Sequence, residues 1–242
     1  MKKALIIVAI VVAVAGTSTA LVLRGLPGVL VGSGNLETEQ YAFVNFTRIE
    51  ISRAFEFEIE QSDSYGINVT ADDNVMDYVQ VIWDGETLKI RLTGIISLQQ
   101  VTLRASVTMP ELSGLTVSGA SRGTVSGFSS TDNMDITVSG ASMVTADITA
   151  GHIGFDVSGA SIVQFEGSAD DMVAVVSGAS TFDLGDFTVN NANVNISGAS
   201  TGTINLSGTL DANVSGASTL LYIGDPVMGT IDVSGASTLG KK

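Results

Sequence analysis

Val117-Ser118-Gly119-Ala120-Ser121 is the first of seven near-identical pentapeptides, and their spacing decides the fold. Further copies begin at Val138, Val157, Val176, Ile196, Val214 and Val233, in steps of 21, 19, 19, 20, 18 and 19 residues. A self-similar period of about 19 residues is the mark of a solenoid, in which each repeat is one supersecondary unit stacked on the next. Two residues before each copy stand Leu115, Ile136, Phe155, Ala174, Val194, Ala212 and Ile231, and the residue between is mostly polar, from Thr116 to Asp232. Apolar, polar, apolar is the period-2 signature of a half-buried strand. After the motif the alternation resumes inward with Val144 and Ala146, Val163 and Phe165, Phe182 and Leu184, and more lightly with Gly123 and Val125 or Gly202 and Ile204. Turn residues close each unit, as at Ser126-Gly127, Glu166-Gly167-Ser168, Gly185-Asp186 and Ser207-Gly208.

A unit this short has no room for a βαβ crossover helix, so it predicts one turn of a parallel β-coil. Coils stacked at a strand spacing of about 4.8 Å pair every backbone N–H and C=O with the coils above and below. The Ser-Gly-Ala-Ser segment is then the corner. Its glycine suits a bend, its alanine is expected to fit crowded interior space, and its serines are expected to form hydroxyl ladders along the stack. Those serines are Ser118, Ser121, Ser139, Ser142, Ser158, Ser161, Ser177, Ser180, Ser197, Ser200, Ser215, Ser218, Ser234 and Ser237. Because the bend interrupts the alternation, the pattern does not say which serine of each pair faces inward. The fold class expected is all-β: a right-handed parallel β-helix of about 19-residue coils with an N-terminal β cap, preceded by one hydrophobic leader helix. The handedness follows from the general preference of parallel crossovers.

Earlier segments extend the pattern. Phe55 to Glu60 alternates with Phe57 and Ile59 inward and the glutamates outward. Ile51-Ser52-Arg53-Ala54-Phe55 matches the corner in degenerate form and reads as an eroded coil. Val79 to Trp83 and Glu86 to Leu92 read as a hairpin across a two-residue Asp84-Gly85 turn, and Val101 to Met109 as a strand stopped by Pro110. The expected organisation is a signal anchor or signal peptide over 1–24, a tether over 25–36, a capping β segment over 37–110 and the repeat solenoid over 111–242.

The leader, Gly32-Ser33-Gly34-Asn35, the segments Phe46 to Gln61 and Tyr65 to Asn74, Asp84 to Leu88 and the Ser-Gly-Ala-Ser repeats together resemble the head GIN domain family of auto-transporter adhesins of bacteria and archaea. The resemblance spans residues 32 to 240. It implies a surface-exposed β-solenoid and brings no catalytic residues with it.

Composition narrows the chemistry. Cysteine is absent, which excludes disulfides, thiolate metal sites and a lipidated cysteine. Lys2-Lys3 precedes an uncharged stretch from Ala4 to Leu23 that ends at Arg24, long enough to span a bilayer, with Ser18-Thr19-Ala20 resembling a cleavage site. Either an anchor or a cleaved signal places the rest outside the cytoplasm. Beyond the leader, eight Lys and Arg face 25 acids, a charge of −17 that repels nucleic acid and anionic headgroups. The expected partners are the membrane, through the N-terminal segment, and a surface glycan or protein ligand; no nucleic acid and no cofactor are expected.

Candidate sites are few. Gly119 to Gly123 and Gly198 to Gly202 both spell Gly-x-Ser-x-Gly, but the hydrolase elbow needs a strand-to-helix turn and a histidine, and the chain has only His152, placed in a turn. Acids at Asp72-Asp73-Asn74 with Asp77, Asp132 with Asp135, Asp170-Asp171, and Asp183 with Asp186 are oxygen-rich without the spacing of a calcium loop. A carbohydrate-active β-helix enzyme is the enzymatic alternative. It needs a carboxylate pair on one groove, whereas Asp156 and Asp232 lie several coils apart. A self-assembling surface module is the structural alternative, since the last coil ends without a cap. Among the Asn-x-Ser/Thr sequences, Asn195 and Asn213 share an outward column one coil apart and are the candidate glycosylation pair. The leading expectation is a non-enzymatic cell-surface adhesin or envelope-associated binding module.

Overall fold

A computed structural model of the chain describes residues 12–13, 29–94 and 97–242. The corner motifs superpose as a column through parallel pairing: Ile51 with Val117, Val117 with Val138, Val138 with Val157, Val157 with Val176, Val176 with Ile196, Ile196 with Val214, and Val214 with Val233. The solenoid therefore makes about six turns between the first and last copies. The eroded corner at Ile51 to Phe55 is part of the stack, with Phe55 fully buried where later coils place a serine.

The alternation read from the sequence is the alternation of burial. Leu115, Ile136, Phe155, Ala174, Val194 and Ala212 face the interior before the corner, and Val144, Val163, Phe182 and Leu220 after it. Side-chain size is complemented between neighbouring coils. A Cβ on Gly123 would strike the Phe57 ring, and one on Gly202 would press on Leu220 and Ile196. Phe155 packs edge-on against Phe165 and Phe182, at 5.1 and 5.0 Å between ring centroids. Aromatic edges meeting faces is the arrangement the ring quadrupole favours.

Unequal steps are absorbed away from the corner. In Arg122–Ser129, Gly127 is an extra residue between two that pair with consecutive residues of Met143–Val157, and a second is taken up before Met134, which pairs with Ile153, so that the 21-residue step meets the 19-residue one. In Thr181–Ile196 the stretch between Leu184 and Thr188 has no counterpart between Ile204 and Asn205. Bulges of this kind let a ladder resume its register after an insertion.

The N-terminal segment prolongs both faces of the coil. On one, Arg48–Ser52 pairs with Thr87–Leu92, which forms an antiparallel hairpin with Val79–Asp84. On the other, Glu56–Gln61 lies between Arg122–Ser129 and Leu103–Met109, followed by antiparallel Gly66–Asp72 and Leu36–Tyr41. Val12–Ala13 pairs with the outer edge of Leu36–Tyr41, and Val29–Val31 with Ser97–Gln99. The hairpin corrects the expected turn by one residue: Asp84 pairs with Thr87, so the loop is Gly85-Glu86, with Gly85 at φ 62° supplying the left-handed first position. His152 is corrected too, being half-buried in the strand Met143–Val157 rather than in a turn. The leader helix expected over Ala4 to Leu23 lies outside the described residues, Val12–Ala13 apart, and no helix among the described residues is long and apolar enough to cross a membrane.

At the glycine the corners touch backbone to backbone. The N–H of Ala179 donates to the Gly159 carbonyl at 2.7 Å, and Ala199 does the same to Gly178 and Ala217 to Gly198. Gly178 has φ 81°, and a Cβ there would lie 2.9 Å from the Gly159 nitrogen and closer still to its carbonyl oxygen. Alanine, expected inside, is instead on the outer rim of the corner, where a methyl group meets only solvent. Gly178→Ala is therefore expected to cost about 1–3 kcal/mol, read as a lowered urea midpoint. Ala179→Gly, on the exposed rim, should cost no more than about 1 kcal/mol. An unchanged midpoint for Gly178→Ala would show that the corners do not bear on one another.

Candidate functional site

The second serine of each corner points inward: Ser121, Ser142, Ser161, Ser180, Ser200 and Ser218 are all buried, and Ser237 on the last coil is half-buried. The first serines, Ser118, Ser139, Ser158, Ser177, Ser197 and Ser215, are half-buried, and Ser234 is exposed. Hydroxyl does not meet hydroxyl in this column. Four inward Oγ atoms donate to the carbonyl of their own corner's first serine, Ser121 to Ser118 and Ser161 to Ser158 at 2.8 Å, Ser180 to Ser177 at 2.9 Å and Ser200 to Ser197 at 3.0 Å. From Ser180 onward the Oγ also accepts from the N–H of the equivalent serine one coil earlier, Ser180 from Ser161, Ser200 from Ser180, Ser218 from Ser200 and Ser237 from Ser218, at 3.3 to 3.4 Å. The ladder is thus hydroxyl to backbone, closing each bend and tying it to its neighbour.

Ser142 is the exception, its Oγ sealed from solvent without a partner. It sits where the corner changes shape: Gly119 and Ala120 are both left-handed, whereas from Gly140 onward only the glycine is.

On the outside the repeat builds columns of like chemistry. Asp147, Glu166 and Asp186 are stacked on three consecutive coils, all exposed. Asn195 and Asn213 are register partners, both exposed, and their column continues from Asp156 and Val175 to Asp232. Most turn acids hold local donors. Asp72 is buried and accepts from the N–H groups of Gly34 and Thr102, both at 2.7 Å, and Asp73 accepts from the Ser33 hydroxyl. Asp171 takes the Asn191 amide, Asp183 the Gly185 N–H, and Asp135 pairs with Arg48. Asp72 to Asn74 thus pins the Gly32 to Asn35 loop, and its oxygens are engaged as acceptors. Among the described residues no three of His, Asp and Glu are grouped to hold a metal ion.

Beyond the leader, positive charge is confined to the N-terminal segment, Arg122 on the first repeat coil and the two terminal lysines. Between residues 123 and 240 there are twelve carboxylates and no Lys or Arg. On the cap's outer face Glu56 bridges Arg122 and Arg104 beside a hollow of about 430 Å³ lined by Asn68, Thr70, Ser106 and Thr124. The Arg122 hydrogen bond, opposed by desolvation and aided by Arg104, holds the Glu56 carboxyl below its ordinary range.

The cap also assembles a feature absent from the sequence pattern. Tyr41, Phe43 and Trp83 lie in a row, with ring centroids 6.2 and 6.5 Å apart and planes within 18° and 28° of parallel. Trp83 is 41% exposed and Val44 beside the row 48%. Burial, then the hydrogen bond to the Glu39 carboxylate, pushes the Tyr41 phenol above its ordinary range. The only sequence signal was local: Tyr41 and Phe43 share one side of an extended segment, and the chain's single Trp is on a hairpin arm.

These features define a β-solenoid with a sealed interior and a polar, acidic outside. The family model described as "Putative auto-transporter adhesin, head GIN domain" matches residues 45–226, and the chain belongs to that family. Solved structures share the fold at low identity. A protein described as a putative adhesin from Bacteroides fragilis has a TM-score of 0.80 at 20% identity, covering 88% of this chain and 100% of its own. Another putative adhesin, from Parabacteroides merdae, has 0.73 at 18%, covering 89% and 99%. One described as a putative lipid binding protein, from Parabacteroides distasonis, has 0.58 at 20%, covering 88% and 99%. No curated protein matches the chain.

Ser180→Ala is expected to lose about 1–3 kcal/mol, because a buried N–H and a carbonyl lose their partner. Ser142→Ala, removing a hydroxyl that bonds nothing, should stay within about 0.5 kcal/mol of wild type or gain. Equal losses at the two sites in equilibrium urea unfolding would rule out this account of the ladder.

Proposed function

We propose that the chain is a non-enzymatic binding module of the adhesin kind, a right-handed rod held at the cell surface through its N-terminal segment. The observation that carries this reading is the sealed interior. Both candidate nucleophiles, Ser121 and Ser200, are buried and donate to corner carbonyls, so the Gly-x-Ser-x-Gly pentapeptides serve as corners. Asp156 and Asp232 stand four coils apart in their column, with Val175, Asn195 and Asn213 between them, and the acids that do adjoin on consecutive coils, Asp147, Glu166 and Asp186, are exposed side chains of the outer wall. What remains for recognition is the outside, and the family and the fold's neighbours carry adhesin descriptions. The Asn195–Asn213 pair is exposed enough to carry sugar in a host that glycosylates such sequences.

The test is display of the full chain on a non-adherent bacterial host, with retention measured on immobilised glycans, extracellular proteins and neighbouring cells. Retention above the empty host on at least one surface is expected; none on any would refute the reading.

A second reading, end-to-end self-association, is favoured by the last described coil. Met228, Ile231 and Val233 occupy columns buried in the other coils yet are 43, 37 and 44% exposed, and Val227–Val233 is exposed throughout. Asp225 and Asp232 are balanced there by Lys241 and Lys242, so the acidic repulsion of the shaft fades at this end. Sedimentation velocity over a hundredfold concentration range is expected to show a dimer that Val233→Lys weakens; a monomer throughout ends it.

A further inference from the structure

We infer that the Tyr41–Phe43–Trp83 row is a saccharide-binding subsite, taking the apolar face of a neutral sugar ring against the Trp83 indole. This rests on the binding-module reading and names the ligand class for one part of its surface.

The row is assembled from two distant segments. Tyr41 closes the strand Leu36–Tyr41 and Phe43 follows two residues on, while Trp83 comes from the hairpin arm Val79–Asp84. The hydrogen-bonded hairpin holds Trp83 opposite Leu88, which is buried. Phe43 then lies 6.5 Å from the indole and nearly parallel to it, with Tyr41 behind at 6.2 Å. Each ring limits the tilt of the next, so the indole is positioned before any ligand arrives, which lowers the ordering cost of binding.

An aromatic ring presents a negative face. The axial C–H hydrogens of a pyranose are weakly positive and cover one side of the sugar, so the two surfaces are complementary. The sugar's hydroxyls radiate from its rim and need charged or polar partners nearby. One such partner stands at the row itself: the Glu39 carboxylate, which the Tyr41 hydroxyl already engages.

Charge selects among sugars. Glu39 puts a carboxylate at the row, and the chain beyond its leader carries −17. Uronic or sulfated saccharides and anionic lipid headgroups meet repulsion there, whereas a neutral ring does not. The same surroundings disfavour a membrane as the occupant, because exposed carboxylates would have to approach the headgroup layer.

Trp83 is the only tryptophan in the chain, so its emission reads this site alone. The full chain is titrated with cellohexaose, mannohexaose and chitohexaose, with hexagalacturonate as the anionic counterpart and phosphatidylcholine vesicles as the lipid arm. A saturable blue shift with at least one neutral hexasaccharide, and none with hexagalacturonate, is expected. Calorimetry with that saccharide should show about a tenfold loss of affinity for Trp83→Ala and for Phe43→Ala. Trp83→Tyr, which keeps an aromatic face and the fold, should retain most of it. Unchanged affinity in Trp83→Ala, a loss in Trp83→Tyr as deep as in Trp83→Ala, no spectral response to any neutral saccharide, or a shift with vesicles only, would each overturn the assignment. Retention of displayed Trp83→Ala equal to wild type sinks the subsite and leaves the adhesin reading standing, whereas absence of retention in wild type sinks that reading itself.

Discussion

The structure depends on one close approach: the corner glycine of each coil lies directly over the corner glycine of the coil before. The N–H of the following alanine reaches the earlier carbonyl at 2.7 Å, a distance that leaves no space for a Cβ. That contact sets the register of both strands leaving the corner, because a slip of one residue would turn every inward side chain outward. It also dictates where irregularity can go. Gly127 and the stretch after Leu184 take up the variation in repeat length on the strand beyond the corner, where a bulge does not disturb the glycine column.

With the corners in line, the interior becomes a set of columns whose occupants adjust to one another. Phe57 sits against Gly123, and Phe182 against Gly202 and then Leu220, so bulk in one coil is answered by its absence in the next. Native packing density leaves little room for ligand-sized voids in such a core. The serine column adds a polar thread whose hydroxyls are consumed by backbone partners. The exterior is uneven: beyond Arg122 a shaft of carboxylates with no cation before Lys241, and an N-terminal segment that holds the other arginines and the half-buried aromatic row ending on exposed Trp83.

The repeat made much of this readable. Period-2 alternation around the pentapeptide identified the inward positions from Leu115 to Leu184 correctly, and the degenerate match at Ile51 to Phe55 found a coil that composition alone would have hidden. Alternation is lost inside the bend, where left-handed residues redirect the chain, and there the reading stopped. The inward serine and the outward alanine follow from the turn geometry. The Asp84 to Thr87 pairing differs from expectation by one residue for a similar reason, since an Asp-Gly pair and a Gly-Glu pair are both competent two-residue loops.

What the sequence by itself determined is the architecture of a coil: its period, its apolar columns, its small-residue corner and the charge of its surface. These are local properties repeated, and repetition turns a local preference into a stack without any long-range information. Only the tertiary structure decided which side chains from unrelated segments become neighbours, as Trp83 does with Phe43, Glu56 with Arg104 and Arg122, and Asp72 with the Gly32 to Asn35 loop. Those contacts lie mainly in the non-repeating N-terminal segment, where parallel and antiparallel pairings bring together residues whose separation along the chain carries no periodic signal.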